Sequence, residues 1–210
     1  MKRYGTVAEL ETRHDIDGMA GKLRYLVFLN RAPQDNYDQA VALAQQTGTP
    51  ANITAVRRDS WKAGFALNLE QSITDDLGIF SRLSWNDGRT EGWTFTDIDR
   101  SVTGGLSLKG IRWNRPQDTI GLGGALNGLS KPARNFFAAG GTGILAGDGQ
   151  LNYAGEAIIA TYYSISLADF SKGFAKVAAL TFDYQFVVNR AFNQDRGPVS
   201  VFAARLHVEY

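Results

Sequence analysis

The feature that most constrains this chain is the unbroken alternation of apolar and polar side chains through residues 198–210. Phe202 and Leu206 fall on one face of an extended strand and Arg205 on the other, because successive strand side chains point to opposite faces. The apolar face ends in Tyr210, whereas a soluble domain usually ends in a polar, frayed tail. The pattern indicates a transmembrane β-barrel strand with lipid outside, water inside and an aromatic ring at the interface.

Similar alternation recurs along the chain and predicts about nine strands of roughly 9–11 residues, the length of a membrane-spanning strand. The strand segments are 4–12, 22–30, 61–70, 77–86, 97–109, 119–128, 156–167, 180–186 and 198–210. The short turns are 15–21, 71–76, 111–117 and 168–175, and the longer loops are 31–60, 86–96, 129–152 and 189–197. Short turns at one end and long loops at the other are typical of outer-membrane barrels. We therefore expect an all-β, antiparallel transmembrane β-barrel.

Aromatic residues agree with this topology. Trp61 and Trp85 fall at the loop ends of their strands, and Trp113 and Tyr210 fall at the turn ends. Such girdles mark the two membrane interfaces of a barrel. A soluble β-sandwich would explain the alternation of side chains, but not the girdles and the loop asymmetry together.

Two long loops are distinctive. Residues 37–46 predict a short helix with Asn36 as N-cap. Its apolar residues are mostly alanines, so we expect it on the surface of the loop. Residues 129–150 are rich in glycine and predict an irregular loop.

Composition excludes several functions. The absence of cysteine excludes disulfides, thiolate catalysis and cysteine-ligated zinc. A net charge of +1 without blocks of like charge gives no reason to expect nucleic acid. Residues 1–11 contain no apolar h-region and are not a signal peptide. Either the protein is cytosolic, or the chain is the downstream part of a longer exported protein.

The alternation of side chains along each strand places charged side chains of both signs, together with amides, on the face that we expect to line water. Mixed carboxylates, guanidinium groups and amides can donate to or accept from sugar hydroxyls, and an aromatic ring such as Phe80 offers a flat apolar surface. Glu70, Arg82 and Asp183 are the strongest candidates, because they lie in mid-strand. The candidate pore-lining and substrate-binding residues are Arg24, Glu70, Arg82, Asp99, Glu156, Tyr162, Asp183, Gln185, Arg205 and His207.

We expect no catalytic residues, no metal and no cofactor. The carboxyl pairs Asp97 with Asp99 and Glu9 with Glu11 suggest a glycosidase. However, both pairs lie at i, i+2 on one predicted strand face, and nothing in the sequence indicates a pocket or a raised pKa. The two histidines lie in different segments and lack zinc-ligand spacing.

Several stretches resemble the carbohydrate-selective outer-membrane porin family, the OprB family. They are 65–71, 78–82, 85–88, 97–100, 113–116, 147–149, 156, 162–164, 183–185, 195–199 and 205–207. The resemblance implies a 16-stranded barrel of about twice this length, of which residues 1–210 would be the C-terminal half, as a single domain without the signal peptide. It implies a bacterial outer-membrane location, a lipid-facing exterior, and recognition of Tyr210 by the barrel-assembly machinery.

The expected function is therefore passive diffusion of carbohydrates such as glucose, and of similar small hydrophilic solutes, across the outer membrane. One alternative is a general or ion-conducting porin of the same family. An alternative from another class is a soluble β-sandwich that binds carbohydrate, and this protein would stay in solution without detergent.

Overall fold

A computed structural model describes residues 3–92, 97–167 and 177–209. The fold is one antiparallel sheet of nine strands in which each strand pairs with its neighbours in sequence. The strands are β1 (Tyr4–Ile16), β2 (Met19–Pro33), β3 (Asp59–Ser72), β4 (Leu77–Asn86), β5 (Arg100–Gly110), β6 (Arg115–Gly128), β7 (Glu156–Ser166), β8 (Val177–Val188) and β9 (Val199–Glu209). This confirms the predicted strand number and order. At 10 to 15 residues, most strands are longer than the predicted spans.

The sheet is open. Within the described residues, the outer edges of β1 and β9 have no partner strand, and no second sheet packs against the first. The observed fold is therefore not the β-sandwich of the alternative prediction. Because every neighbouring pair is antiparallel, β1 and β9 run in the same direction.

The first six connections alternate between short and long as predicted, whereas the β7–β8 and β8–β9 connections span ten residues each. The predicted short turn 168–175 lies outside the described residues. The β1–β2 turn is the tightest, since Ile16 pairs directly with Met19 around Asp17 and Gly18. Both turn residues have positive φ, 53° and 81°, which suits the Asp-Gly sequence of a two-residue hairpin. This end of the sheet is called the turn end, and the end with the long connections the loop end.

The two faces of the sheet differ in chemistry, because the register keeps alternating residues on the same side across all nine strands. The apolar face is solvent-exposed: Leu126 is 65% exposed and Phe202 is 78% exposed. A contiguous exposed apolar surface of this extent is typical of a face that contacts a membrane or another protein. The polar face carries the charged side chains described below.

The four long connections pack together into a loop cap, defined as residues 34–58, 87–92, 97–99, 129–155 and 189–198. It contains helices α1 (Tyr37–Thr47) and α2 (Lys131–Ala138) and the short 3₁₀ helices Ile53–Val56, Arg190–Phe192 and Gln194–Arg196. A further 3₁₀ helix, Ile111–Trp113, lies at the turn end. No helix among the described residues is long and apolar enough to cross a membrane.

The hydrophobic core lies in this cap. Asn36 caps α1 as predicted, with its side chain accepting from Gln39 N. The expectation that α1 lies on the loop surface is wrong, because Tyr37, Ala40 and Ala44 are buried against α2. Small alanines allow this close helix contact.

Helix α2 was missed in the region predicted to be an irregular loop. Ser130 is its N-cap and accepts from Ala133 N at 3.1 Å, and Pro132 lies in the first turn. Ser followed closely by Pro is a helix-start signal that the glycine content of the rest of the loop obscured.

Aromatic residues mark both ends. Tyr4 and Trp61 meet edge-on near the loop end, with ring centroids 5.6 Å apart. At the turn end, Trp113 Nε1 donates to Tyr163 Oη at 3.1 Å. The predicted aromatic end of the last strand, Tyr210, lies outside the described residues.

Candidate functional site

A row of charged side chains crosses the polar face of β1 to β4. Glu11, Arg24, Asn68 and Arg82 are consecutive cross-strand partners. Arg24 Nε donates to Glu11 Oε2 at 2.7 Å, and Arg82 Nε donates to Asn68 Oδ1 at 3.4 Å. Two of the three strongest sequence candidates, Arg82 and Glu70, thus lie in the same neighbourhood.

The adjacent row supplies the balancing charges. Lys22 lies opposite Glu70, and Lys22 Nζ is 2.8 Å from Glu70 Oε2. Arg24 Nη1 reaches the other oxygen of Glu70 at 4.0 Å. We call these two rows the charged strip (Glu11, Lys22, Arg24, Asn68, Glu70 and Arg82). The strip contains two carboxylates, three cations and one amide, so it presents donors and acceptors without a large net charge.

The middle of the polar face of β5 and β6 consists of glycines. Phe80, Gly105 and Gly123 are aligned across β4, β5 and β6. A Cβ on Gly105 would lie 2.7 Å from Phe80 Cε1, so the Phe80 ring covers the glycine backbone. From the opposite side, the Tyr162 ring occupies the space where a Cβ on Gly121 would lie. The glycines therefore let two aromatic rings lie close to the wall.

A second polar group lies on β7 to β9, where Tyr162 is the cross-strand partner of Asp183. Arg205 Nη2 reaches Asp183 Oδ2 at 3.5 Å. Gln185 is exposed opposite Ala160, and His207 Nε2 is 2.9 Å from Glu209 Oε1. The structure thus brings Tyr162, Asp183 and Arg205 together, while His207 lies near the turn end. A role of these residues in contacting solute stays a prediction.

Two sequence candidates lie at the loop cap instead. Asp99 precedes β5, is 6% exposed, and its Oδ2 accepts from Ser130 N at 2.8 Å. It therefore anchors the start of α2 and does not face open solvent. Glu156 accepts from Asn127 Nδ2 and Ala191 N, each at 3.0 Å, and so ties the β8–β9 connection to β7. Both carboxylates have structural partners, and Asp99 lies in the connection before β5 and not on the polar face of the sheet.

Sequence reasoning missed a group of ionisable residues inside the loop cap. Arg57 Nε is 3.1 Å from Asp35 Oδ2, and Arg57 Nη2 is 3.4 Å from Glu91 Oε1. Burial and the nearby Asp35 carboxylate raise the pKa of Glu91. These residues come from separate loops, so no local sequence signal could have joined them.

The position of Asp97 also differs from the predicted one. Asp97 and Asp99 lie in the loop before β5 and not on a strand face, and Asp97 borders a pocket. Burial and then the Asp99 carboxylate raise the pKa of Asp97. Within the described residues, Asp97 Oδ2 is buried and has no hydrogen-bond partner.

The chemistry of the polar face suits hydrogen bonding to hydroxylated solutes. The described ranges contain no group of three or more His, Asp or Glu side chains that could hold a metal ion. Guanidinium and ammonium groups donate, carboxylates and amide oxygens accept, and the Phe80 and Tyr162 rings offer apolar contact.

Comparison with known proteins gives two matches. The model of the family described as "Carbohydrate-selective porin, OprB family" matches residues 2–210. A solved structure of OprB from Pseudomonas putida, determined at high pH, superposes with a TM-score of 0.72 at 19% sequence identity. The match covers 98% of this chain but only 48% of that chain, and at this identity it shows the fold alone. No curated protein sequence matches the chain.

Proposed function

This chain belongs to the OprB family of carbohydrate-selective porins, and from that premise we propose that it forms part of a bacterial outer-membrane barrel through which carbohydrates and other small hydrophilic solutes diffuse passively. The observation that carries this proposal is the surface on which Phe80 and Tyr162 cover the glycines of β5 and β6 between two groups of charged side chains.

A sugar ring has apolar C–H faces and a rim of hydroxyl groups. The Phe80 and Tyr162 rings can contact the faces, while Arg82 on one side and Asp183 on the other can bond to the rim. The Arg82 guanidinium already lies 5.4 Å from the Phe80 ring centre. Passage requires that such contacts favour entry yet remain weak enough for release. The half-buried, mutually paired charges of the charged strip fit this requirement.

We propose that the apolar face contacts outer-membrane lipid and that the polar face lines water. Further strands would complete the barrel. Because β1 and β9 run in the same direction, closure by antiparallel pairing needs an odd number of additional strands. We also propose that residues 1–210 act as one C-terminal barrel segment whose last strand is recognised by the assembly machinery.

Solute flux in reconstituted vesicles tests the function. Liposome swelling should be faster with glucose than with a neutral solute of similar size, and glucose should reduce the single-channel ion current. If glucose neither enters faster nor affects the current, sugar selectivity is refuted. Membrane fractionation checks the location, since the protein should require detergent for extraction.

A general or ion-conducting porin is the second candidate. The observation that favours it is the mutual pairing of Lys22 with Glu70 and of Arg24 with Glu11, which can simply hydrate the wall. The same recordings separate the two, because a general porin would conduct ions with a current that is indifferent to sugar.

A further inference from the structure

We propose that the loop end of the apolar face binds the phosphate-bearing headgroup of an anionic lipid in the outer leaflet. The site consists of Arg100, Arg134 and Tyr153, which lie around Gly128 at the end of β6. This inference rests on the proposed membrane location and adds a lipid site to it. The longer loops of outer-membrane barrels are extracellular, so the loop end lies at the outer leaflet.

Arg100 is a charged residue on the apolar face. It is the cross-strand partner of Trp85 on β4 and of Gly128 on β6. Two residues further along the same strands, Val102 pairs with Leu126, and these side chains are 52% and 65% exposed. Because residues two apart in a strand share a face, Arg100 lies on the same side as this apolar pair. A guanidinium on a lipid-facing surface is tolerated near the membrane interface, and Arg100 is the first residue of β5.

A second guanidinium reaches the same place from the loop cap. A Cβ added to Gly128 would have Tyr153 Oη as its nearest neighbour among the described residues, at an ordinary contact distance of 3.4 Å. The Arg134 guanidinium carbon lies 4.8 Å from the centre of the Tyr153 ring. Arg100 and Tyr153 are therefore both neighbours of a position that has no side chain of its own. Arg100 is exposed, and Gly128, Arg134 and Tyr153 are half-buried, so a ligand can reach all four.

Neither guanidinium has a carboxylate partner within the described residues. Arg134 Nε donates to Ser130 O at 3.3 Å, and Arg100 forms no side-chain hydrogen bond or ion pair in the ranges that the structure describes. At the turn end, by contrast, Arg112 Nε is 2.7 Å from Asp76 Oδ2. The loop end of the apolar face thus carries positive charge that the described part of the chain does not compensate.

These features select the class of ligand. Arginine side chains bind phosphate through paired N–H donors. Lys131, exposed on α2 three residues after Gly128, adds a third cation. The exposed Val102 and Leu126 side chains continue from the cations towards the middle of the sheet and suit an acyl chain. A phosphate group with an attached acyl chain satisfies both parts, whereas free phosphate would leave the apolar part uncovered.

Native mass spectrometry of the full chain in detergent micelles, titrated with lipid A, tests the site. Lipid A is an acylated sugar that carries phosphate. Arg100→Gln and Arg134→Gln should each weaken lipid A binding about tenfold, because charge-assisted hydrogen bonds to phosphate are lost. Arg58→Gln is the matched control and should bind lipid A like the wild type, since Arg58 is an exposed arginine in the same cap but precedes β3 and lies outside the site.

The lipid itself provides a second measurement that needs no variant. Dephosphorylated lipid A should bind the wild type about tenfold more weakly than lipid A, and equal binding of the two lipids would overturn the site. Full displacement of lipid A by an equal concentration of inorganic phosphate would also overturn it, because the anion would then bind without its acyl chains. A heat-dependent gel shift shows whether each variant is folded.

The outcomes separate the lipid site from the proposed function. Equal lipid A affinity of the wild type, Arg100→Gln and Arg134→Gln would overturn the site even if liposomes take up glucose selectively. Lipid A binding that depends on both arginines, without glucose-selective flux, would keep the lipid site and refute sugar selectivity. Arg100→Gln should leave the rate of glucose uptake unchanged, because Arg100 lies on the face opposite the permeation surface.

Discussion

The Tyr162 ring lies over Gly121 of the neighbouring strand, in the space that any larger residue at 121 would need for its Cβ. Gly121 is thus required by the position of a side chain on β7 and not by its own backbone dihedrals. The contact fixes the position of the Tyr162 ring against β6.

Gly121→Ala should therefore displace the Tyr162 ring. We expect a loss of about 1–3 kcal/mol in the free energy of unfolding, as for other overpacking substitutions, and a weaker effect of glucose on the channel current. Gly78→Ala is the control: Gly78 lies in the same cross-strand row, but among the described residues its Cβ would approach only Gln71 O, at 3.8 Å. Denaturant unfolding and current recordings provide the measurements. Equal behaviour of the two variants would contradict a role for the ring.

Arg24→Ala should change ion selectivity more than stability. It removes the guanidinium 2.7 Å from Glu11 and leaves the Glu11 and Glu70 carboxylates less compensated. We expect a shift of the reversal potential towards cation preference in a salt gradient. Partly exposed ion pairs contribute little, so the free energy of unfolding should fall by less than about 1 kcal/mol. Arg89→Ala, in the exposed part of the loop cap, should leave the reversal potential unchanged. An unchanged potential in Arg24→Ala would show that the strip does not line the ion path.

Tyr163→Phe should weaken the turn end. Tyr163 Oη donates to the buried Asp118 Oδ2 at 2.6 Å and accepts from Trp113 Nε1. Removing the hydroxyl leaves both groups short of a partner, which we expect to lower the free energy of unfolding by about 1–3 kcal/mol. Tyr184→Phe is the control, because among the described residues Tyr184 Oη bonds only to the exposed Ser200 Oγ, at 3.2 Å. Similar midpoints for both variants in denaturant titration would refute this network.

Glu91→Gln should change how the loop cap responds to pH. Burial and Asp35 raise the pKa of Glu91, so the protonated form is favoured in the folded cap. The contribution of this group is fully present below its unfolded pKa of about 4.3 and is lost as pH rises through the folded pKa. Hydrogen exchange in residues 34–58 should therefore become faster as pH rises through this window, after correction for intrinsic rates. In Glu91→Gln, exchange should not accelerate over this pH range. If the acceleration persists in the variant, a group other than Glu91 causes it.

Asp148→Asn should remove a pH dependence of the opposite sign. Hydrogen bonds from Arg196 and then Asn193 lower the pKa of Asp148, and Arg196 Nε is 2.9 Å from Asp148 Oδ2. The stability that this pair contributes is present above the unfolded pKa of about 3.9 and is lost as pH falls through the folded pKa. Acid-protease cleavage within residues 189–198 should increase as pH falls below about 4 in wild type. In Asp148→Asn, cleavage should already be fast above that pH.

Most of the fold follows from local pattern. The alternation of apolar and polar side chains predicted every strand of the sheet. This signal is strong because a register shift of one residue would move a strand's apolar side chains to the wrong face. The Asp17–Gly18 turn and the Asn36 cap carry equally local signals. The α2 helix was missed although Ser130 and Pro132 begin it, since the glycine-rich remainder of its loop outweighed a short helical segment.

The sequence by itself determined a two-faced antiparallel sheet with short turns, long loops and charged residues on one side, because strand parity needs only neighbouring residues. Tertiary structure decided which residues meet: that Phe80 and Tyr162 lie over glycines of other strands, that Asp99 is buried against α2, and that Arg57, Glu91 and Asp97 from two loops share one pocket. Such contacts depend on how the long connections pack, and that packing joins segments far apart in the chain.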